Sequence, residues 1–208
     1  MGKLFDRWAA DGRAEGMEKS HGPAARMAFD RLKLRDNGHY LDIGCGNGYT
    51  VRWAAAAAPA GRAVGIDLSE EMIRRARSLS SGFANAQFVA GSFPDVEPPG
   101  APFDAVFSME VFYYLPDLDA AIRRVRELLR PGGHFACVVD YYGENQASHS
   151  WPSDVGVPMK LLHSAGWADA FQRAGLPVIE QKRLRPSREQ ATAEWKITEG
   201  SLMTLGRR

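Results

Sequence analysis

Three glycines at alternate positions follow a short apolar segment early in the chain, and this feature constrains the fold most. Gly44, Gly46 and Gly48 come directly after the segment 40–43, and residues 51–58 then have the pattern of a helix. A glycine-rich turn between a strand and a helix lets a ligand approach the bare backbone and the helix N-terminus. The sequence therefore predicts a ligand-binding turn after the first strand of an α/β fold.

Short apolar segments alternate with helical patterns along the rest of the chain. Strands are expected at residues 40–43, 63–67, 87–90, 103–109 and 135–139, with closing strands at 178–184 and 195–205. Helices are expected at residues 51–58, after Ser69 as an N-cap, after Asp117, and at 164–174. Strands joined by right-handed helical crossovers form a doubly wound parallel sheet with helices on both faces. Its ligand crevice lies outside the carboxyl ends of the strands, near the first one.

Two stretches fit none of these core elements, and we expect both to lie over that crevice. We expect residues 1–37 to form an N-terminal helical cover. Within it, Phe5 and Trp8 either clamp the ligand or anchor an amphipathic helix. The core then runs over residues 38–208, with a covering loop at about 140–157 that is rich in aromatic and polar residues. Loops of that length are usually functional.

The acids around the glycine turn favour a cationic nucleoside over a dinucleotide. The glycines depart from the Gly-x-Gly-x-x-Gly fingerprint of dinucleotide sites, whose third glycine is replaced by Tyr49 here. Asp42 lies at the mouth of the site, where a carboxylate repels a pyrophosphate but attracts a cation by about 4 kcal/mol at ~4 Å and an effective dielectric of 20. Asp67 ends the second strand, where an acid accepts both hydroxyls of a ribose. The expected ligand is a ribose with an adjoining amine or sulfonium.

The segment 41–48, Leu-Asp-Ile-Gly-Cys-Gly-Asn-Gly, resembles the first motif of the class I methyltransferases that use S-adenosylmethionine. The resemblance extends over about residues 40–139 and is nearest to the small-molecule branch that includes the menaquinone and ubiquinone C-methyltransferases. The other segments that carry it are 64–69, 103–106, 110–115 and 129–133. The family implies a Rossmann-like, mostly parallel seven-stranded sheet and S-adenosylmethionine as the cofactor.

The resemblance also implies roles for residues around the crevice. The glycines would pass under the methionine and ribose parts of the cofactor, while Asp42 would hold its amino group and Asp67 its ribose hydroxyls. Leu68 and Met72 would pack on the adenine and residues 91–93 would flank its edge, although many relatives carry an acid in place of Ser92. The full expected set of cofactor-binding residues is Asp42, Gly44, Cys45, Gly46, Gly48, Asp67, Leu68, Met72, Gly91, Ser92, Phe93 and Met109.

The acceptor site is marked less clearly in the sequence. No acid–base pair is evident, which suits an in-line transfer from a sulfonium, where alignment supplies much of the catalysis. The candidate catalytic residues are His149, Tyr113 and His21; a histidine here either takes a proton from a hydroxyl acceptor or lies on the loop surface. Candidate substrate-binding residues are Tyr113, Tyr114, Tyr141, Tyr142, His149 and Trp151. Cys45 is either a nucleophile or, because no histidine is near it in sequence, a small buried apolar residue.

Composition and a missing motif narrow the choice of acceptor. The 26 basic and 25 acidic residues give a formal net charge of +1, whereas nucleic-acid binders usually carry a basic excess. The segment 108–112 lacks the Asn/Asp-Pro-Pro-Tyr signature that related enzymes use on nucleobase amines. The sequence therefore predicts a small, partly apolar or aromatic acceptor and no nucleic-acid partner. It leaves the methylated atom and the oligomeric state open.

The remaining expectations concern location, metals and rival functions. The two cysteines, Cys45 and Cys137, form no C-x-x-C pair, so neither a disulfide framework nor a metal site is expected. No apolar run is long enough to span a bilayer and the first residues lack the apolar core of a secretion signal, which favours a cytoplasmic protein. Two rival functions stay open. One is a NAD-type oxidoreductase, disfavoured by Asp42 and the glycine spacing, and the other is a non-catalytic protein that binds S-adenosylmethionine as a sensor or partner-binding protein.

Overall fold

The computed structural model describes the backbone of residues 13–208 and the side chains from residue 16 onward. The helices are α1 (Arg13–Phe29), α2 (Tyr49–Ala57), α3 (Glu70–Leu79), α4 (Leu118–Leu128), α5 (Trp151–Val155), α6 (Ser164–Arg173) and α7 (Glu194–Thr198). The strands are β1 (His39–Ile43), β2 (Arg62–Asp67), β3 (Ala86–Ala90), β4 (Phe103–Met109), β5 (Leu129–Val139), β6 (Val178–Leu184) and β7 (Ser201–Arg207). Short 3-10 turns occur at Asp30–Leu32, Phe112–Tyr114 and Gln146–Ser148.

The strands form one seven-stranded sheet in the order β3-β2-β1-β4-β5-β7-β6. The first five strands in this order pair in parallel, and β7 pairs antiparallel with both β5 and β6. The predicted doubly wound, mostly parallel sheet is confirmed. The strand order reverses between β1 and β4, so a ligand crevice is expected beside the end of β1. Asp42 lies opposite Gly65 of β2 and Phe107 of β4 at this place.

Local signals explain where the helices next to the crevice begin. The Ser69 side chain accepts a hydrogen bond from the Met72 N–H at the start of α3, and Asp117 accepts one from the Ala120 N–H at the start of α4. Both residues are the N-caps expected from the sequence. The apolar face of α4 is buried as its spacing predicts, with Ile122 among its fully buried residues.

Two expected strand boundaries are wrong. The fifth strand begins at Leu129 rather than at residue 135, because Leu129 pairs with Phe103 before a shift in register. The expected strand over 195–205 is a helix in its first part: α7 ends at Thr198, and Gly200, with a φ of 76°, separates it from β7. A residue with a left-handed backbone interrupts a strand. The apolar content of residues 195–205 alone therefore led to a wrong strand prediction.

The N-terminal helix packs on the core. Ala24, Ala25, Ala28 and Phe29 of α1 are buried in the apolar cluster formed with β1 and α2. Phe5 and Trp8 lie outside the described residues. Within residues 13–208, no helix has both the length and the apolar character required to cross a membrane.

Candidate functional site

A cavity of about 610 Å³ opens at the carboxyl ends of β1, β2 and β4. This volume lies within the range of about 300–1,000 Å³ that is usual for small-molecule sites. The glycine turn and the strand ends form one half of the cavity. The other half is formed by α1, the segment 110–116, and side chains between residues 151 and 159. We call these the cofactor half and the acceptor half.

The glycine turn has a backbone that favours glycine. Gly44, Gly46 and Gly48 all have positive φ, at 77°, 50° and 79°. A Cβ on Gly44 would lie 2.1 Å from the Val111 Cγ2, whereas one on Gly46 would meet, beyond its chain neighbours, no atom of the described residues within 4 Å. The Gly44 N–H donates to the Ile66 carbonyl at 2.8 Å, which fixes the turn against the end of β2. The turn thus brings bare backbone to the cavity wall.

Asp67 is held at the floor of the cavity by backbone donors. Its Oδ2 accepts the Gly46 N–H at 2.8 Å and its Oδ1 accepts the Ser69 N–H at 2.9 Å. Both carboxylate oxygens of Asp67 thus accept a backbone hydrogen bond. The carboxylate is therefore oriented before any ligand binds.

Asp42 faces the same cavity but is buried. Its Oδ2 accepts a hydrogen bond from the Thr50 hydroxyl. Burial raises the pKa of Asp42 to about 7; the Thr50 hydrogen bond lowers it and the charge of Asp67 raises it further. The ionised form is thus disfavoured without a cation and is stabilised when a cation binds.

Almost all the predicted cofactor-binding residues reach the cavity. Those that line it are Asp42, Gly44, Cys45, Gly46, Asp67, Leu68, Met72, Gly91, Ser92, Phe93 and Met109. Gly48 does not line it; it precedes α2 and packs against Phe88, whose ring would lie 2.7 Å from an added Cβ. Burial raises the pKa of the Cys45 thiol well above its ordinary value, which favours the interpretation of Cys45 as a small buried residue.

Helix α1 contributes wall residues that the sequence did not indicate. Met17 and Glu18 line the cavity, and Glu18 accepts a hydrogen bond from the Asn47 side chain at 2.7 Å. Arg52 lies 3.6 Å from the same carboxylate. Helix α1 is thereby tied to the glycine turn. In the sequence, Glu18 is only an acidic residue at a helical position. Such residues are common, so the sequence alone does not indicate this contact.

The acceptor half contains part of the aromatic set predicted from sequence. Tyr113, Tyr114 and Trp151 line the cavity. Tyr141 is buried behind them, with ring centroids 5.5 Å from Tyr113 and 6.4 Å from Trp151. Val155 and Met159 complete an apolar wall that the sequence did not single out.

Tyr142 and His149 were expected to face the acceptor, but neither side chain lines the cavity. The Tyr142 hydroxyl donates to the carbonyls of Glu199 and Gly200, at 3.2 and 3.0 Å, and the ring is fully buried in the core. His149 is exposed, with a ring nitrogen 3.2 Å from the Gly143 carbonyl, and does not line the cavity. The Tyr142 side chain is turned away from the cavity by its contacts with the segment after α7, and that of His149 by its contact within the covering loop.

A polar cluster lies at the base of the acceptor half. A ring nitrogen of His21 and a carboxylate oxygen each of Glu110 and Asp140 lie within 4.8 Å of one another. The Glu110 carboxylate accepts the Asp140 N–H and, at 2.8 Å, the Tyr113 hydroxyl. The Lys196 ammonium donates to Asp140 at 3.1 Å in a buried ion pair. Among these residues the sequence had singled out only His21 and Tyr113.

Comparison with known proteins gives a consistent match over this region. A family model described as a methyltransferase domain matches residues 41–133. Nocamycin O-methyltransferase of Saccharothrix syringae is 35% identical over 133 residues, which cover 62% of this chain and 47% of that protein. Ubiquinone biosynthesis O-methyltransferase of Xanthomonas euvesicatoria pv. vesicatoria is 34% identical, over 61% of this chain and 52% of that protein. The chain thus spans about half the length of these curated relatives.

Among solved structures, a methyltransferase complex contains a chain that is similar to this one over nearly its whole length. It is the complex between the Haloferax volcanii Trm112 methyltransferase activator and a candidate methyltransferase. The similarity has a TM-score of 0.87 and 33% identity, and it covers 98% of this chain and 96% of the matched one.

Proposed function

The chain belongs to the class I S-adenosylmethionine-dependent methyltransferases, and we propose that it transfers the methyl group to a small, partly apolar or aromatic molecule. The cofactor supplies a methyl group on a sulfonium, which is a good leaving group in an in-line displacement. The protein then contributes alignment of the acceptor and exclusion of water, which can account for about 7–11 kcal/mol of a barrier.

The two acids and the glycine backbone of the cofactor half support S-adenosylmethionine as the ligand there. Asp42 would hold the amino group and Asp67 the ribose hydroxyls, while Gly44 and Gly46 would pass beneath the methionine and ribose parts. Leu68 and Met72 would pack on the adenine, and Gly91, Ser92 and Phe93 would flank its edge. The single observation that carries the proposal is that both carboxylates face one cavity beside a turn of left-handed glycines.

The walls of the acceptor half support a neutral, largely apolar acceptor. The apolar and aromatic residues that line this half of the cavity are Tyr114, Trp151, Val155 and Met159. Polar atoms come from the base of the pocket, where burial raises the pKa of Glu110 well above its usual value and so favours its neutral form. The location in the cytoplasm and the absence of a nucleic-acid partner stay predictions of the sequence.

Labelled cofactor tests the proposed function directly. We would incubate the pure protein with S-adenosylmethionine labelled in the methyl group and a cell metabolite extract, and then identify the labelled product. We expect label in a small organic product together with release of S-adenosylhomocysteine. Absence of any labelled product, with intact cofactor binding, would instead support the sensor function, and tighter binding of NADH than of S-adenosylmethionine would support an oxidoreductase.

We also propose that the chain assembles with a Trm112-type activator. The supporting observation is the similarity to the matched chain of the Haloferax volcanii complex, which extends over nearly all of both chains. Mixing the pure protein with that activator should give a complex of defined stoichiometry in size-exclusion chromatography with light scattering. Separate elution of the two proteins at micromolar concentration would contradict this assembly and leave the methyl-transfer proposal unaffected.

A further inference from the structure

The polar cluster at the base of the acceptor half can take up a proton during methyl transfer. This role rests on the proposed function. We propose that His21 accepts the proton of a hydroxyl group on the methyl acceptor, with Asp140 as the residue that positions the imidazole. The acceptor is then an otherwise apolar alcohol, enol or phenol, and the product is its methyl ether.

His21 faces both the cavity and the buried acids. Its side chain lines the cavity, and within the described part of the chain its ring makes no hydrogen bond. One ring nitrogen lies within 4.8 Å of a carboxylate oxygen of Asp140. A side-chain rotation that moves this nitrogen by about 2 Å brings it to the usual hydrogen-bond distance of about 2.9 Å. Catalytic hydrogen bonds are often long in unliganded proteins and tighten when the reactants bind. The other ring nitrogen is then left for the acceptor.

Asp140 offers a buried carboxylate oxygen that lacks a partner. Its Oδ2 accepts from Lys196 at 3.1 Å, whereas its Oδ1 has no hydrogen-bond partner among residues 16–208, and its side chain is 1% exposed. Buried acceptors without a partner are rare in folded proteins. An N–H of the His21 ring is a donor within reach, and this bond fixes the tautomer that leaves the other nitrogen able to accept a proton.

Glu110 holds the backbone of Asp140 in place. It has a left-handed φ of 63°, which is strained for a residue with a side chain and persists only where the surroundings hold it. Its carboxylate accepts the Asp140 N–H and the Tyr113 hydroxyl. The ends of β4 and β5 are thereby joined directly beneath the acceptor half. Burial and the neighbouring Asp140 favour the neutral form of Glu110, so the charges beside His21 are those of Asp140 and Lys196.

The proposed step balances in atoms and charge. The hydroxyl oxygen bonds to the methyl carbon, the carbon–sulfur bond breaks with its electron pair on sulfur, and the hydroxyl proton passes to His21. Burial lowers the pKa of His21 to about 4, with Asp140 raising it and Lys196 lowering it, so the ring is neutral at pH 7 and able to accept a proton. A weak base is sufficient, because the hydroxyl group becomes strongly acidic as its oxygen gains the methyl group. Asp140 then stabilises the imidazolium.

The same side-chain types also bind divalent cations, but the charges of this cluster favour a proton-transfer site. The Lys196 ammonium already neutralises Asp140 within the buried cluster. A divalent ion at this place would bring two positive charges towards that ammonium, whereas a proton taken up by His21 brings one, so repulsion in a medium of low dielectric disfavours the metal ion more strongly.

Nitrogen-15 NMR of the histidine side chains tests the His21–Asp140 pair without any acceptor. With S-adenosylhomocysteine present at pH 7, we expect His21 to be neutral and in one tautomer, with its signals assigned by their loss in His21→Gln. The double variant Asp140→Asn/Lys196→Met removes the ion pair without leaving a buried charge unpaired, and it should give a mixture of tautomers. A protonated His21 at pH 7, an unchanged tautomer in that variant, or displacement of its signals by added Mg²⁺ or Zn²⁺ would overturn the proposal.

Kinetics with the acceptor found by label transfer tests the chemistry. His21→Gln should lower kcat by about 10²–10⁴-fold with a much smaller change in KM, the usual size for general base catalysis. His163→Gln is the matched control, because His163 is 73% exposed, and its kcat should equal that of the wild type. Methylation on carbon, nitrogen or sulfur would contradict the hydroxyl acceptor. Failure to label any acceptor would count against the proposed function, while the NMR result would still decide the role of Asp140.

Discussion

The two halves of the cavity are built by different means. In the cofactor half, strand ends and a glycine turn place backbone donors around Asp67, and the contacts involve segments that are close in sequence or on adjacent strands. In the acceptor half, side chains from α1, from the residues directly after β4 and β5, and from α7 meet in a partly buried polar cluster. The backbone defines the first half, and long-range side-chain packing defines the second.

This difference affects how each half should respond to substitution. The proposed cofactor contacts depend on the backbone of one turn and on two acids at strand ends. A cluster assembled from four separate segments changes with a substitution in any one of them. The following changes test whether the two halves depend on these different features.

The largest effect is expected in the acceptor half, from Lys196→Met. Removal of one partner of a buried ion pair leaves Asp140 uncompensated and should lower the free energy of unfolding by about 3–5 kcal/mol. Urea denaturation measures it. Arg188→Met is a control on a neighbouring pair, because Arg188 and Glu194 are 75% and 64% exposed and should contribute no more than about 1 kcal/mol. Equal losses in the two variants would show that the acceptor half does not depend on the buried charge pair.

In the cofactor half, Gly44→Ala should cost more than Gly46→Ala. Both residues are left-handed, which costs an alanine about 1–2 kcal/mol, but only Gly44 also meets Val111, for a total of about 2–5 kcal/mol. Thermal unfolding and calorimetry with S-adenosylhomocysteine should both show the difference. The double variant Gly44→Ala/Val111→Ala should recover the steric part. If the two single variants behaved alike, contact with Val111 would not be what requires glycine at residue 44.

Much of the fold could be predicted because its signals are local. The strand at Phe103–Met109 and the edge strand at Val178–Leu184 have the predicted bounds, and the caps at Ser69 and Asp117 fix where α3 and α4 begin. The segment after residue 194 could not be predicted in the same way. Its helix places Lys196 against Asp140, and that requirement comes from a residue 56 positions away.

The same distinction applies to the site. The acids Asp42 and Asp67 could be found because each follows from its place at a strand end next to the glycine turn. Glu110 lies in a segment that the sequence analysis examined, yet its role depends on the Asp140 N–H across the sheet. His149 was a candidate because of its loop, and the contact with the Gly143 carbonyl removes it from the cavity. Side-chain direction in a long loop is set by such contacts, which composition does not reveal.

Asp67→Ala tests how much of the cofactor half depends on side chains. Loss of hydrogen bonds to a charged group should weaken S-adenosylmethionine binding by about 1.5–3 kcal/mol, or roughly ten- to a hundredfold in Kd by calorimetry. Glu70→Ala is the control, because this acid is exposed on the first turn of α3 and does not line the cavity. An unchanged Kd in Asp67→Ala would remove Asp67 from the ribose role.

The smallest expected effect is a pH dependence carried by Asp42. With its pKa near 7 in the free protein, Asp42 is mostly neutral at pH 5.5, and binding of a cationic ligand must then remove a proton. Kd for S-adenosylmethionine should therefore improve by about tenfold between pH 6 and 8, which is about 1.4 kcal/mol. Asp42→Asn should lose this dependence. A parallel pH profile in the two proteins would show that another group is responsible.

Ionisation of the Asp42 carboxyl group should have the opposite effect on stability. As the pH rises, ligand binding improves but the free energy of unfolding falls. Because folding raises the pKa of Asp42 from 3.8 to about 7, its contribution to stability is fully present below pH 3.8 and is lost as the pH rises through 7. The difference in free energy of unfolding between wild type and Asp42→Asn should therefore shift against the wild type over this range. Bound S-adenosylhomocysteine, which retains the amino group, should reduce that shift. The cofactor half would then carry a buried acid that destabilises the empty protein at neutral pH and is stabilised by the ligand's positive charge.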